Sequence, residues 1–235
     1  MKKFELTEES IEVRGVKLFR IRSLRTFSNI KEGDLGGFVE KEANLDQDGT
    51  AWIYGNAQVY GDARVYIDAK IHNNSQVCDT AQVSDSAQVY SNARVYDNAM
   101  IYGNARISGN AHVHGKAQVY SNAWISDDAQ VYGDADVSGN VQVYGYAKLY
   151  CDARVSGKAQ VAANAIVTKK VLNINFDTYN ITVTDNHIKI GCKQYTKQEW
   201  WSFTDEEIDA MDEGKSLEWW KKWKPILIAI LEIRV

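Results

Sequence analysis

Cysteine is scarce in this chain of 235 residues, and the three present, Cys78, Cys151 and Cys192, are odd in number and show neither metal nor redox spacing. A disulfide framework and a zinc knuckle are excluded, and reduced thiols are expected. Charge of one sign is also missing. Residues 1–50 hold nine Lys or Arg against ten Asp or Glu, residues 51–170 ten against ten, and residues 171–235 eight against eleven. The basic stripe of a nucleic-acid binder is absent, and so is the dense acidic surface that would imitate DNA. No apolar run is long enough for a membrane span, and the segment from Met1 to Ser10 alternates charge with isolated apolar residues, unlike a signal peptide. A cytoplasmic setting is expected. The middle of the chain lacks any insertion or deletion, which leaves no loop from which an active site is easily built.

What fills that middle is one six-residue word, roughly A-x-V-Y-G-N, written twenty times from Ala51 to Lys170. The first position is Ala except at Ser75 and Val141, and the third is aliphatic throughout, from Ile53 and Val59 to Val161 and Val167. Residues two apart share a face of a pleated strand, so both point inward, while the residues between and after them point out. Those outward places hold mainly Gln, Arg or Lys and then Tyr, His or Ser. Gly is frequent at the fifth position and Asn or Asp at the sixth, residue types that turn a corner. Self-similarity of this kind marks a solenoid, whose units bury their apolar side only by stacking on neighbouring coils. Twenty buried aliphatic side chains contribute roughly 1.5–3 kcal/mol each before chain entropy is subtracted, enough for a continuous core.

The word V-Y-G-N-A-Q resembles that of the hexapeptide-repeat, left-handed parallel β-helix proteins, with a small residue four places after the aliphatic one. It departs from their pattern by placing a bulky Tyr directly after that residue. The resemblance implies an all-β solenoid of triangular, eighteen-residue coils. About 6.7 coils at roughly 4.8 Å each make a rod of about 32 Å. The stretch IKEGDLGGFVEKEANLDQDGTAWIYGNA, from Ile30 to Ala57, is similar to the YdcK-like subgroup found in bacteria, phages and prophages.

Both ends of a solenoid expose strand edges and need covers. Residues 1–50 are expected to form a β-rich cap, with strands Phe4–Leu6, Ile11–Val13 and, after a turn at Arg14-Gly15, Val16–Leu24. Gly33, Gly36 and Gly37 read as a tight entry turn, Ala43 and Leu45 as an imperfect first hexad, and Gly49-Thr50 as two extra residues. Residues 171–235 are expected to form a small ββα cap. Its hairpin would run from Tyr179–Thr184 to His187–Cys192, helices would start at Thr196, Thr204 and Ser216, and the last element, Leu217–Val235, would bend at Pro225. Trp219, Trp220 and Trp223 on that element are expected to pack over the open end or to offer a partner surface. The run WWKKWKPILIAIL also has the composition of an interfacial membrane helix.

Four groups of residues carry candidate chemistry. One outward column contains Tyr60, Cys78, Tyr96, His114, Tyr132 and Tyr150, beside Arg94, His112 and Lys148. Tyr and Arg are enriched in interfaces, so this column is expected either to bind a partner or to stack upon itself. His112 and His114 are surface histidines or, in a hexapeptide acyltransferase, general bases at an intersubunit cleft. They do not supply the three converging imidazoles of a zinc site, because His72 lies on another face. Asp79 and Asp97, eighteen apart, should stack at one corner, either as a solvated pair or as a place for Ca²⁺ or a shared proton. Columns of Asn at 56, 74, 92 and 110 and at 104, 122 and 140 read as amide ladders.

The function expected is non-enzymatic: a rigid binding or scaffold protein without a cofactor, partnered by another protein or by its own copies, with a homotrimer in view. Resemblance to phage and prophage proteins implies an accessory factor that engages or inhibits a host protein, such as a defence component, or sequesters a nucleotide signal. The alternative is a hexapeptide-repeat acyltransferase using acetyl-CoA.

Overall fold

A computed structural model describes residues 2–212 and 214–232. The chain opens with β1 (Phe4–Val13) and β2 (Val16–Ser23), an antiparallel hairpin, followed by β3 (Leu35–Val39). Each hexad then places its second and third residues in a two-residue strand, from β4 (Trp52–Ile53) to β23 (Ile166–Val167). Strands one coil apart pair in parallel with an offset of eighteen, as Gln76 with Arg94 and Val77 with Val95. Three parallel sheets result, and the one that begins at β5 (Gln58–Val59) is extended by β3, β2 and β1 to ten strands. The protein is a β-solenoid of about seven turns.

Every first-position and third-position residue of the twenty hexads is buried, including Ser75 and Val141. Ser75 meets burial by donating its hydroxyl to the His72 carbonyl at 2.7 Å, which satisfies the one polar group in the column. Corner geometry is more specific than expected. The left-handed residue is the fifth, and it is not reserved for glycine: Ile67 (φ 61°), Asp79 (φ 60°), Asp97 (φ 57°) and Ala163 (φ 50°) all adopt it. The sixth residue completes the turn without adopting the left-handed conformation, and its Asn side chains form the ladders, with Asn74 donating to Asn92 at 3.4 Å, Asn92 to Asn110 at 3.2 Å and Asn122 to Asn140 at 2.9 Å.

Hydrogen bonds between coils run from the N–H of second, fourth and sixth positions to the carbonyl of the first, third and fifth positions one coil on, as in Gln76 to Ala93 and Cys78 to Val95, both 3.0 Å. The first coil therefore leaves odd-position carbonyls without a preceding coil. The N-terminal segment supplies the donors. Backbone N–H groups of Phe38 and Glu40 reach the Ala57 and Val59 carbonyls, the buried Asn44 amide donates to Gly61 and Ala63, and the Lys3 ammonium donates to Ala51 at 3.1 Å. Phe4, Ile21, Ile30, Val39 and Leu45 join the same hydrophobic core as the coils.

Two expectations for this end are corrected. Ala43 is exposed in a short 3-10 turn, Glu42–Asn44, and the buried place falls to Asn44, because a donor is needed there more than a methyl group. Gly36 and Gly37 lie in β3 rather than in a turn. A Cβ on Gly37 would stand 2.5 Å from the Ala57 carbonyl oxygen, so close approach of backbones is what demands glycine. Trp52, at an outward position, is buried beneath Phe4 and Phe27, whose rings meet it edge-on at 6.4 and 5.5 Å.

The C-terminal cap is larger than a ββα unit. β24 (Leu172–Phe176), β25 (Tyr179–Val183), β26 (His187–Ile190) and β27 (Lys193–Thr196) form a four-stranded antiparallel meander. Capping boxes at Thr196 with Glu199 and at Thr204 with Glu207 start α1 (Lys197–Ser202) and α2 (Asp205–Asp209). α3 (Ser216–Glu232) continues through Pro225; the final residues of the expected last element, 233–235, lie outside the described residues. Alternation divides the sheet. Thr182 and Asn180 serve the last coil, whereas Ile181, Val183, Ile188 and Ile190 face the helices in a core of their own. Trp219 and Trp220 are buried in that second core, and Trp223 stacks on Phe176 with ring centroids 4.1 Å apart. The tryptophans therefore do not cover the solenoid's open end. The sheet does, and the tryptophans pack behind it.

Candidate functional site

The outward column of the extended sheet is the candidate interface. Its register stacks Tyr96, His114, Tyr132 and Tyr150 at eighteen-residue intervals, and parallel pairing brings successive rings to centroid distances of 4.6, 5.0 and 5.2 Å with planes within 4–7° of parallel. This is a continuous four-ring ladder across four coils. The mutual stacking expected of the column is present, and it half-buries each ring, leaving edges rather than faces toward solvent. Other faces carry shorter versions, Tyr54 on His72 at 4.3 Å and Tyr102 on Tyr120 at 4.8 Å.

The start of the column differs from the expectation. Tyr60 and Cys78 are buried, because the β1–β2 hairpin bends back over the outer face and packs Ile11, Val13, Val16 and Leu18 against them, with Phe38. Burial pushes the Tyr60 phenol up to about 12 and raises the Cys78 thiol. Tyr60 is thus withdrawn from any partner, as are Trp219 and Trp220 in the cap core. What remains accessible is Arg94 with Tyr96, His112, His114, Tyr132, Lys148 and Tyr150.

His112 and His114 both emerge from this face. His114 is clamped between Tyr96 and Tyr132, and its Nδ1 lies 3.4 Å from the Asp97 carboxylate. His112 meets Tyr96 edge-on at 6.2 Å, and burial first, then the Arg94 charge, lowers its pKa from the ordinary histidine value. The structure places His72 on the neighbouring sheet against Tyr54, so the imidazoles do not converge.

The Asp79–Asp97 pair has a structural occupation. The Asp79 carboxylate accepts the Asp97 N–H at 3.1 Å, and the Asp97 carboxylate accepts the Gly115 N–H at 3.0 Å. Asp85 and Asp127 do the same for Gly103 and Gly145, each one coil ahead. These carboxylates satisfy the corner N–H groups that the inter-coil ladder omits. Among the described residues no group of three or more His, Cys, Asp or Glu is placed to hold a metal ion.

A family model described as the YdcK β-solenoid repeat matches residues 57–73, 93–104, 99–115 and 129–145, all within the coils. The chain is a YdcK-like β-solenoid protein. A comparison with curated proteins found no match. In this YdcK-like solenoid the matched windows include most of the ring ladder, Tyr96, His114 and Tyr132, so the residues that build the coil also build the candidate surface. No helix among the described residues is long and apolar enough to cross a membrane. The hairpin about Arg14-Gly15 forms as expected, but its docking over Tyr60 is not legible in the sequence; the one signal for it is Cys78, a small residue standing where the column otherwise places an aromatic ring.

Proposed function

We propose that this protein is a non-enzymatic binding or scaffold protein that docks a protein partner on the ladder face. The observation that carries the reading is the row of Tyr96, His114, Tyr132 and Tyr150, rigid because each ring is held by its neighbours and flat because no loop is inserted in the coils that carry it, the N-terminal hairpin bounding it only at Tyr96. A pre-organised aromatic surface loses little conformational entropy on binding. Its outward ring edges carry the positive side of the aromatic quadrupole and suit carbonyl or carboxylate oxygens. By its sequence resemblance we extend this reading to a phage or prophage factor that acts on a host protein in the bacterial cytoplasm, with self-association into a trimer as the alternative use of the same face.

The test is capture by the tagged protein from bacterial lysate beside a Tyr132→Ser, Tyr96→Ser variant, with sedimentation to report self-association. Loss of a stoichiometric partner, or of the oligomer, in a variant with retained circular dichroism supports the reading. Equal capture by both proteins places the interface elsewhere.

One observation favours acyl transfer as a second reading: the Asp97 carboxylate beside His114 Nδ1 is an arrangement that can orient a general base. Against it, Tyr96 and Tyr132 cover both faces of the ring, and the coils supply no wall for a coenzyme A cleft. Acetyl-CoA hydrolysis that disappears in His114→Ala would establish this reading in place of the first.

A further inference from the structure

The tip of the N-terminal hairpin is Arg14 (φ 51°) and Gly15 (φ 79°), and it lands on the ladder face beside Tyr96. Between tip and coils lies a cavity of about 200 Å³, lined by Arg14 from the hairpin and by Gln76, Asp79, Arg94, Tyr96 and His112 from three successive coils. Its charge is unbalanced. Among the described residues neither the Arg14 nor the Arg94 guanidinium has a hydrogen bond or ion pair, whereas Arg20 and Arg22 of the same hairpin are paired with Glu9 and Glu5. The single carboxylate present, Asp79, is already engaged by the Asp97 N–H at 3.1 Å and the Cys78 thiol at 3.7 Å. The Gln76 amide nitrogen is also engaged, donating to Gln58 at 3.1 Å, which holds that side chain in place.

We propose that this cavity is a binding site for a phosphate monoester. Two guanidinium forks and an imidazole offer more donors than one carboxylate can accept, and they match a dianion with three free oxygens; arginine forks suit such groups because two parallel N–H bonds fit them. The volume is larger than a phosphate group alone requires, and the remaining wall is Cys78 with Tyr96, the first ring of the ladder. The ester's organic part lies against that ring, so a ligand with a flat substituent binds better than inorganic phosphate. The site joins residue 14 to residues 76–112 and has no sequence motif of its own. It goes beyond the docking surface proposed above and does not depend on it.

The experiment is a titration of the full chain at low ionic strength with inorganic phosphate, phenyl phosphate and acetate, followed by phosphorus NMR line width and by thermal shift. Saturable binding of phenyl phosphate, several-fold tighter than phosphate and absent for acetate, is expected. Arg94→Gln, on a strand deep in the array, should weaken it by about tenfold or more, as expected for loss of a charge-assisted bond, and Arg14→Gln should act in the same direction. Lys148→Gln, three coils away on the same face, should leave it unchanged. Equal responses of wild type and Arg94→Gln, or an equal response to acetate, would show only a salt effect and overturn the site. Phosphate binding without preference for the phenyl ester would overturn the ester assignment. Unchanged phosphate binding in Tyr132→Ser separates this site from the docking face.

Discussion

At the N-terminal end the solenoid runs into its cap without a break, while at the C-terminal end it meets a sheet of polar side chains. The first end continues both the backbone ladder, through Phe38 and Glu40, and the hydrophobic core, through Phe4, Ile21 and Val39. At the second end, side chains replace the missing coil. Thr182 accepts the Gln160 N–H, Asp185 that of Thr168 and Asn186 that of Ile166, while the Asn180, Asn186 and Gln194 amides donate to the Lys158, Asn164 and Ala162 carbonyls. Beyond Val171, which joins the coil core, the apolar residues of that cap are spent on its own core. Both ends satisfy the exposed edge, but the first shares far more of the burial that stabilises the coils. The N-terminal cap should therefore unfold with the solenoid, and the C-terminal cap should open separately.

The strongest way to break this comparison is a pair of core truncations. Trp220 is 3% exposed and packs on Trp200 and Trp201, so Trp220→Ala should cost about 3–5 kcal/mol. The loss should be confined to the cap, with amide exchange rising in residues 171–232 and unchanged in the coils. Ile21, fully buried in the shared core, should cost about 2–5 kcal/mol as Ile21→Ala and lower the protection of the coils together with the hairpin. Exchange that rises equally in cap and coils for Trp220→Ala would show one cooperative unit and end the distinction.

A smaller effect sharpens it. Asn186 accepts from the Ile166 N–H at 2.8 Å and donates to the Asn164 carbonyl at 3.2 Å, and Asn44 donates to two carbonyls of the first coils at 3.0 and 2.9 Å. Each Asn→Ala change leaves edge groups unpaired and should cost about 1–3 kcal/mol. Asn186→Ala should promote detachment of an intact cap, detected as new exchange at 160–168 with Trp fluorescence unchanged. Asn44→Ala should instead lower the single melting transition of the coils. Identical signatures from the two variants would mean that the ends are closed alike.

The parts of this architecture legible in the sequence are those that repeat. A contact at a constant offset of eighteen is written many times, so the buried Ala and Val columns, the Asn ladders and the Tyr stacks can be read from the hexads, and the capping boxes at Thr196 and Thr204 can be read because they are local. Contacts made once are not written this way. Nothing in Arg14-Gly15 announces that the hairpin will land on Tyr60 and Cys78, and nothing in WWKKWK distinguishes packing on the solenoid from packing behind a sheet whose inner face is polar. The candidate site divides along the same line: its ring ladder was foreseen, while the loss of Tyr60, Trp219 and Trp220 from the accessible surface and the cavity beneath Arg14 follow from single, non-repeating contacts.

The smallest effect concerns Lys3, the ammonium that closes the N-terminal end. It is fully buried, donates to the Asp48 and Ala51 carbonyls at 3.0 and 3.1 Å, and lies 5.5 Å from the centroid of Phe27. Desolvation lowers its pKa to about 8 from the ordinary lysine value of 10.5, with Asp46 opposing the shift. Between those two values the unfolded chain binds more protons at this residue than the folded one, so its contribution to stability rises with pH across that window. Tyr60 and Tyr179, both raised to about 12 from 10.0, act in the opposite sense above pH 10, which sets the useful range at roughly pH 7.5–9.5. Denaturant midpoints of wild type and Lys3→Met across that range should diverge, the wild type gaining relative to the variant as pH rises. A constant difference would mean that the ammonium keeps its proton in the folded state, and that the carbonyl-rich end of the solenoid holds a permanent positive charge.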